Sequence, residues 1–147
     1  MKLPREQAKE FNKVNFPVVK ATAGCILIKD NKVLLTKRKV RIENDKWCIP
    51  GGHMDIGETP EETVRRETKE ETGLNIKNLK FLSYENEFMP ELKNHSLVLM
   101  FQGTPEGKES NNDEVSEQKW FTKEEALKLD LAFNHKDILI KYFNKTK

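Results

Sequence analysis

Apolar residues occur along the chain in short runs separated by turn-forming residues, a pattern that predicts strands with helices among them. The run Val18 to Ile28 is rich in β-branched and small residues, and both its odd and its even positions are fairly apolar. Such a strand is typical of the centre of a sheet that is covered on both faces. Lys29 to Lys32 then predicts a hairpin turn, with Val33 to Lys37 as the returning strand.

The rest of the chain predicts further strands and three helices. Apolar runs predict strands at Trp47 to Ile49, Leu79 to Tyr84, Ser96 to Gln102 and Lys119 to Phe121. Helical spacing predicts helices over Thr59 to Thr72, Thr122 to Leu129 and Asn134 to Phe143. The polar segment Gly103 to Ser116 predicts a mobile loop. Strands on both sides of a central helix, with further helices at the end, predict an α/β fold in which a mixed sheet packs between helices.

The length of 147 residues corresponds to one ordinary domain. We interpret residues 1–16 as an N-terminal extension, in which Arg5 to Asn15 has the pattern of a short peripheral helix that ends before Pro17. Residues 17–147 are then the single folded domain.

Charge and composition argue against several classes of function. The 26 basic and 24 acidic residues are mixed along the chain, and a net charge of +2 favours neither nucleic acid nor a membrane surface as a partner. No apolar run approaches the length of a membrane span and no signal core stands at the N-terminus, so we expect a cytoplasmic protein. Cys25 and Cys48 are expected to be free thiols, with a single disulfide as the alternative.

The helix with the clearest ends is the one predicted over Thr59 to Thr72. Thr59 is a preferred N-cap residue, Pro60 suits the first helical position, and Glu62 completes a capping box. Gly73 is suited to end the helix in a left-handed conformation.

Three glutamates share one side of this helix. The spacing of Glu67, Glu70 and Glu71 places them within about 100° of arc, where their carboxylates repel one another. A hard divalent cation with oxygen ligands, Mg²⁺ or Mn²⁺, would stabilise such a cluster and could neutralise a bound diphosphate. Taken alone, the cluster is more typical of a solvated acidic surface, and the residues around it change that interpretation.

The segment GHMDIGETPEETVRRETKEETGL, which begins at Gly52, resembles the Nudix box. That motif consists of Gly, five residues, Glu, seven residues, Arg-Glu, an apolar position, any residue, Glu-Glu, any residue, Gly and an apolar residue. All seven fixed positions are matched here, by Gly52, Glu58, Arg66, Glu67, Glu70, Glu71 and Gly73. Thr68 stands where the family usually has a bulky aliphatic, which predicts slightly weaker packing. The resemblance implies an α/β/α sandwich around a mixed sheet.

The resemblance also implies roles for the matching residues. Glu67, Glu70 and Glu71 would bind Mg²⁺ or Mn²⁺ together with the carbonyl of Gly52, although in some members the residue at Glu67 is the base instead. Arg66 would orient the catalytic glutamates. Glu58 would support the preceding loop or pair with Arg66. Gly51 and Gly52 would let the backbone approach the substrate phosphates closely.

A later acidic residue often supplies the base or a further metal ligand in this family. The candidates here are Asp113, Glu114 and Glu117, which precede Trp120. We favour Glu117 slightly, followed by Glu114. For each of them a plain surface charge is the alternative.

The end of the chain, from Lys119 to His135, resembles the tail of the ADP-ribose pyrophosphatase-like group, with Asn134 in place of the usual Asp. His135 is therefore a candidate substrate contact, with a structural role at a helix start as the alternative. Phe88 is a candidate for stacking on a nucleobase. Dimers are frequent in this group, so a homodimer is expected.

The reaction implied is attack of water on the diphosphate of a small nucleotide, a nucleoside diphosphate linked to another group, with ADP-ribose or a nucleotide sugar as the leading substrate class. One alternative is a housecleaning nucleoside triphosphate pyrophosphatase that releases pyrophosphate. Another is a non-catalytic nucleotide sensor, which the intact set of three glutamates argues against.

Overall fold

A computed structural model describes residues 5–6 and 18–145 of the chain. Arg5 and Glu6 are helical, while the remainder of the helix predicted over Arg5 to Asn15 lies outside the described residues. None of the helices in the described part of the chain is long and apolar enough to cross a membrane.

Within residues 18–145, the fold consists of seven strands and three α-helices. In chain order they are β1 (Lys20–Lys29), β2 (Lys32–Arg38), β3 (Trp47–Cys48), β4 (Gly51–His53), α1 (Pro60–Thr72), β5 (Asn75–Met89), β6 (Asn94–Glu106), β7 (Val115–Thr122), α2 (Lys123–Leu127) and α3 (His135–Lys145). A 3₁₀ turn over Pro90–Leu92 joins β5 to β6.

The strands form a mixed sheet, as predicted. Its main order is β3-β2-β1-β6-β5, with β4 paired to β1 and β7 paired to β2. Strand β1 runs parallel to β6 and antiparallel to β2 and β4, while β5 runs antiparallel to β6. The predicted central position of β1 is therefore confirmed.

Two apolar clusters lie on opposite faces of the sheet, which explains why β1 is apolar on both sides. On one face, Ala23, Cys25 and Leu27 pack in a cluster with Val64 of α1. On the other face, Ile26 belongs to a cluster that includes Ile138 and Leu139 of α3, and also Val98 and Met100 of β6. This layering gives the α/β/α architecture that the sequence predicts. Both cysteines are buried free thiols.

Helix α1 begins and ends where the sequence predicts. The Thr59 side chain accepts a hydrogen bond from the Glu62 N–H, the Glu62 carboxylate accepts one from the Thr59 N–H, and Gly73 adopts a φ of 82°. Thr68 is fully buried on the packed side, as expected, and the neighbouring Thr72 hydroxyl bonds the Thr68 carbonyl at 2.7 Å. Threonine side chains thus make up much of the buried side of this helix.

The loop predicted over Gly103 to Ser116 is shorter in the structure, where residues 107–114 lie between two strands. Strand β6 continues to Glu106, β7 begins at Val115, and the Ser110 N–H bonds the carbonyl of Thr72 at 2.8 Å. Strand β5 is likewise much longer than the predicted Leu79 to Tyr84. Both differences have one cause: the ends of these strands carry many polar residues, so their extent depends on backbone pairing with a distant strand rather than on composition.

Candidate active site

A cavity of about 540 Å³ opens against strands β1 and β6, and Glu67 and Glu71 of α1 lie at its side. Its floor includes Thr22 and Gly24 of β1 and Val98 and Met100 of β6. Polar, charged and aromatic side chains from these strands and from several other segments line its sides. They include Glu67 and Glu71, Glu114, Lys20 and Arg38, Phe133 and His135, and Glu87 with Asn94.

Two adjacent glycines bring the backbone against the glutamates of α1. Gly51 and Gly52 belong to β4, which pairs with Gly24 and Ala23 of β1. A Cβ atom at Gly52 would lie 2.5 Å from the Glu67 carboxyl carbon, and one at Gly51 would lie 2.5 Å from the Ala23 carbonyl oxygen. Neither position therefore tolerates a side chain without displacing its neighbours, which explains the glycine pair.

Glu67 and Glu71 turn into the cavity and are poorly solvated. The Glu71 side chain accepts a hydrogen bond from the Gly51 N–H at 3.0 Å. Burial, reinforced by the charge of Glu67, raises the pKa of Glu71 well above its usual range. Burial also raises the pKa of Glu67 to about 7, although Arg66 opposes that shift. Two crowded carboxylates of this kind form a hard-oxygen donor set that a divalent cation fits.

Arg66 lies at the centre of an ion-pair network behind these carboxylates. Its guanidinium contacts Glu58 at 2.7 Å, Glu67 at 2.6 Å and Glu70 at 3.4 Å, and it also bonds the His53 carbonyl at 3.0 Å. Burial by itself would raise the pKa of Glu58. Hydrogen bonds, of which the one from Arg66 has the largest effect, instead lower this pKa to about 2. Arg66 thus orients Glu67 and joins α1 to the loop before it.

Glu70 has a different environment from the other two glutamates. Its side chain is 45% exposed, and it accepts a hydrogen bond from Arg5 at 2.7 Å. Arg5 also contacts Asp55, a buried cavity residue that sequence analysis missed, at 2.6 Å. Within residues 5–6 and 18–145, no three acidic, histidine or cysteine side chains already form a group that could hold a metal. All three glutamates therefore lie on one side of the helix. Glu70, however, pairs with Arg5 and Arg66 and is not among the residues that line the cavity.

Of the three later acidic candidates, Glu114 lines the cavity. Its charge is among the causes that raise the pKa values of both Glu67 and Glu71. Glu117 instead lies within β7, where it is exposed and pairs with Lys37 of β2, and Asp113 is also exposed. The order of preference from sequence, Glu117 before Glu114, therefore does not match their placement. Strand β7 begins two residues before Glu117, a boundary that the polar composition concealed.

Asn112 ties the segment that carries Glu114 to the end of α1. Its Nδ2 atom donates to the carbonyls of Glu70 at 2.7 Å and Glu71 at 2.8 Å, and its Oδ1 accepts from the Glu114 N–H at 2.8 Å. One side chain thus caps the helix and orients the following backbone. The last carbonyls of any helix need hydrogen-bond donors, so a donor was to be expected here. The sequence did not show that Asn112 supplies it.

Of the two remaining candidates, His135 lines the cavity and Phe88 does not. His135 lines the cavity, and its Nδ1 accepts a hydrogen bond from the Ile49 N–H at 3.0 Å. That bond requires an unprotonated Nδ1, so the neutral ring carries its proton on Nε2. Phe88 is 61% exposed, packs against His95 and is not among the cavity-lining residues. Phe133 does line the cavity, where its ring lies beneath the Arg38 guanidinium.

Burial lowers the pKa of His135 to about 4, which makes stability depend on pH. The unfolded imidazole binds a proton below about pH 6.5, whereas the folded one remains neutral, so stability should fall as pH decreases from 6.5 to 4. We expect a loss of about 3 kcal/mol from this group. Denaturant unfolding across this range should show a flatter profile for His135→Asn, with His95→Asn as the control. An unchanged slope in His135→Asn would contradict the assignment.

Comparison with known proteins agrees with this geometry. The NUDIX domain family model matches residues 19–142. The chain is 36% identical over 118 residues to the ADP-ribose pyrophosphatase of Methanocaldococcus jannaschii, covering 80% of this chain and 69% of that protein. It is 31% identical over 102 residues to the NAD-capped RNA hydrolase NudC of Vibrio parahaemolyticus, covering 66% of this chain and 37% of that protein.

A solved structure extends the comparison to the fold. The NUDIX domain of Shewanella oneidensis NrtR, in a cocrystal with ADP ribose, matches with a TM-score of 0.79 over 96% of this chain and 99% of that one, at 22% identity. From the motif around α1, the mixed sheet between helices and the match over residues 19–142, we conclude that the chain belongs to the Nudix hydrolase family.

Proposed function

We propose that this Nudix hydrolase cleaves the diphosphate of a nucleoside diphosphate linked to a sugar, with ADP-ribose as the leading substrate. Members of the family generally use divalent cations and act on small nucleotides. The observation that carries the proposal is the close approach of the Gly51-Gly52 backbone to the buried carboxylates of Glu67 and Glu71 beside a cavity.

We infer Mg²⁺ as the cation, because the donors gathered here are hard oxygen atoms. Glu67 and Glu71 would hold it with the Gly52 carbonyl, Glu70 would join them on leaving Arg5, and Glu114 is placed to add a further oxygen. Such a cation would supply positive charge to offset the diphosphate and would help to activate the attacking water. Arg66 keeps the Glu67 carboxylate in place, at 2.6 Å.

The cavity also supports the substrate class. Its volume of about 540 Å³ lies within the range of small-molecule sites. Lys20, Arg38 and Lys93 line it and can pair with substrate phosphates, while the acidic residues that also line it would be compensated by a cation. The relative from Methanocaldococcus jannaschii is named an ADP-ribose pyrophosphatase, and the NrtR domain binds ADP ribose in its cocrystal.

A substrate panel with product identification tests the proposal. With Mg²⁺ present, ADP-ribose should give AMP and ribose 5-phosphate, and nucleotide sugars should give the corresponding pairs of monophosphates. Excess chelator should abolish the reaction, and added Mg²⁺ should restore it. Release of pyrophosphate from nucleoside triphosphates, without cleavage of the diphosphate compounds, would instead identify a triphosphate pyrophosphatase.

A second prediction concerns Asn112. Asn112→Ala removes the link between Glu114 and α1, so we expect kcat to fall by about tenfold, the effect of misplacing a catalytic group. Because the segment remains tied to Thr72 through the Ser110 N–H, the melting temperature should change little. Asn111→Ala, at the exposed neighbouring position, is the matched control and should retain full activity. Equal kcat values for the two variants would exclude this role.

A further inference from the structure

Glu87 is a buried carboxylate that the catalytic network does not use. It lies on β5 and lines the cavity, yet only 6% of the residue is exposed. An ionised side chain is rarely buried this far unless a partner or a ligand compensates it. Its position in the wall of a substrate cavity therefore requires an explanation.

A short chain of hydrogen bonds fixes the direction of this carboxylate. The Asn94 Nδ2 atom donates to Glu87 Oε2 at 2.7 Å, and the Ser96 hydroxyl donates to Asn94 Oδ1 at 3.2 Å. Ser96 is itself buried and lies opposite Glu87 in the β5–β6 register. Among the described residues no other hydrogen bond reaches Glu87, so Oε1 keeps its capacity to accept one.

The charge and burial around Glu87 indicate that its carboxylate is only partly compensated. Burial raises the pKa of Glu87, while the bond from Asn94 and the charge of Arg38 act in the opposite direction. A partly compensated carboxylate of this kind gains from a hydrogen-bond donor that a ligand brings.

The strand register gives the distance from the catalytic centre. Gly52 pairs with Ala23, Ala23 with Leu99 and Leu99 with Tyr84 of β5. Glu87 lies three residues farther along β5. With strands about 4.8 Å apart and a rise of about 3.3 Å per residue, the Cα atoms of Gly52 and Glu87 are about 17 Å apart. A diphosphate held beside Gly52 would therefore leave Glu87 facing a nucleoside or sugar that extends from it.

We propose that Glu87 is a specificity-determining residue, which accepts hydrogen bonds from a neutral hydroxyl or amino group on the substrate moiety distant from the scissile diphosphate. Asn94 is a positioning residue that acts through Glu87. The proposal rests on the proposed function, because it assumes a nucleoside diphosphate derivative in this cavity. Beyond that function, the proposal states which chemical group the far end of the cavity recognises, namely a neutral hydrogen-bond donor.

The kinetic test compares Glu87→Ala with the wild type on matched substrates. For ADP-ribose we expect KM to rise by about tenfold with kcat within a factor of two, because the lost interaction lies far from the reacting atoms. Asn94→Ala should shift KM in the same direction, to a smaller extent. Glu85→Ala is the control, since that residue lies two positions away and pairs with Lys141.

Two substrate series identify the donor that Glu87 accepts. IDP-ribose lacks the amino group of the base, and deoxyribose analogues lack one hydroxyl at a time. The analogue that lacks the recognised donor should show nearly the same KM for the wild type and Glu87→Ala. Equal KM increases for every analogue would overturn the proposal, as would no increase at all.

Equilibrium binding keeps this inference separate from the proposed function. AMP and ribose 5-phosphate are titrated by calorimetry against wild type, Glu87→Leu and Glu85→Leu, because Leu has no hydrogen-bond acceptor. One of these ligands should bind Glu87→Leu about tenfold more weakly than the wild type, even if the wild type hydrolyses no diphosphate sugar. Unaltered affinity of Glu87→Leu for both ligands would overturn the inference.

Discussion

Glu67→Gln should reduce kcat by about a hundredfold or more while leaving the fold intact, the scale expected for loss of an electrostatic or acid–base group. The substitution preserves the shape of the side chain and its capacity to accept from Arg66, but it removes the charge beside Gly52. Steady-state kinetics with saturating Mg²⁺ measure the effect. Glu61→Gln, at an exposed position on the same helix, should behave as the wild type.

The stability of Glu67→Gln provides an independent check. Because burial raises the pKa of Glu67 to about 7, the folded protein holds this proton after the unfolded chain, with a pKa near 4.5, has released it. The wild type should therefore lose stability as pH rises from 4.5 to 7, whereas the Gln variant should lose less. We expect the metal-free variant to be at least as stable as the wild type at pH 8. A marked loss of stability there would contradict the proposed burial of charge.

Arg66→Met should produce the largest loss of stability. The Arg66 and Glu58 side chains are each less than one-sixth exposed, so removing the guanidinium leaves poorly solvated carboxylates without their cation. Breaking a buried pair of this kind costs about 3–5 kcal/mol. Chemical denaturation at pH 7 measures the change, and Lys69→Met, at an exposed position on the same helix, should change stability little.

The same variant should also alter the acid unfolding profile. The pKa of Glu58 is lowered to about 2, so its contribution to stability is present above about pH 4.5 and disappears as pH falls to 2. Without Arg66 this dependence should weaken. The double variant Glu58→Gln/Arg66→Met should be more stable than the sum of the single effects implies, because the unpaired charge is gone. Strict additivity would show that the two residues do not act as a pair.

Helix α1 shows how much local sequence determines. Its N-cap, capping box and left-handed end involve residues no more than four positions apart, so short-range spacing was sufficient to predict them. The apolar character of both faces of β1 similarly predicted a strand between two layers. The resemblance to the motif then predicted that Arg66 and the glutamates form one functional group, and the structure places them in one ion-pair network.

Strand boundaries farther along the chain could not be predicted in this way. The long edge strand β5 and the segment before β7 are polar, and their structure depends on pairing with β6 and on contacts with the end of α1. For that reason the sequence favoured Glu117, whereas the fold brings Glu114 to the cavity. Glu87 carried no sequence signal, because a single glutamate in a polar strand looks like any surface charge.

By itself, the sequence determined that three glutamates would lie on one side of a helix next to a glycine pair. Only the tertiary structure decided that Glu67 and Glu71 face the cavity while Glu70 pairs with Arg5 at the surface. Helical spacing sets the direction in which each side chain leaves the backbone. The partner of each carboxylate comes from a distant segment, and its position depends on how the whole sheet and its helices pack.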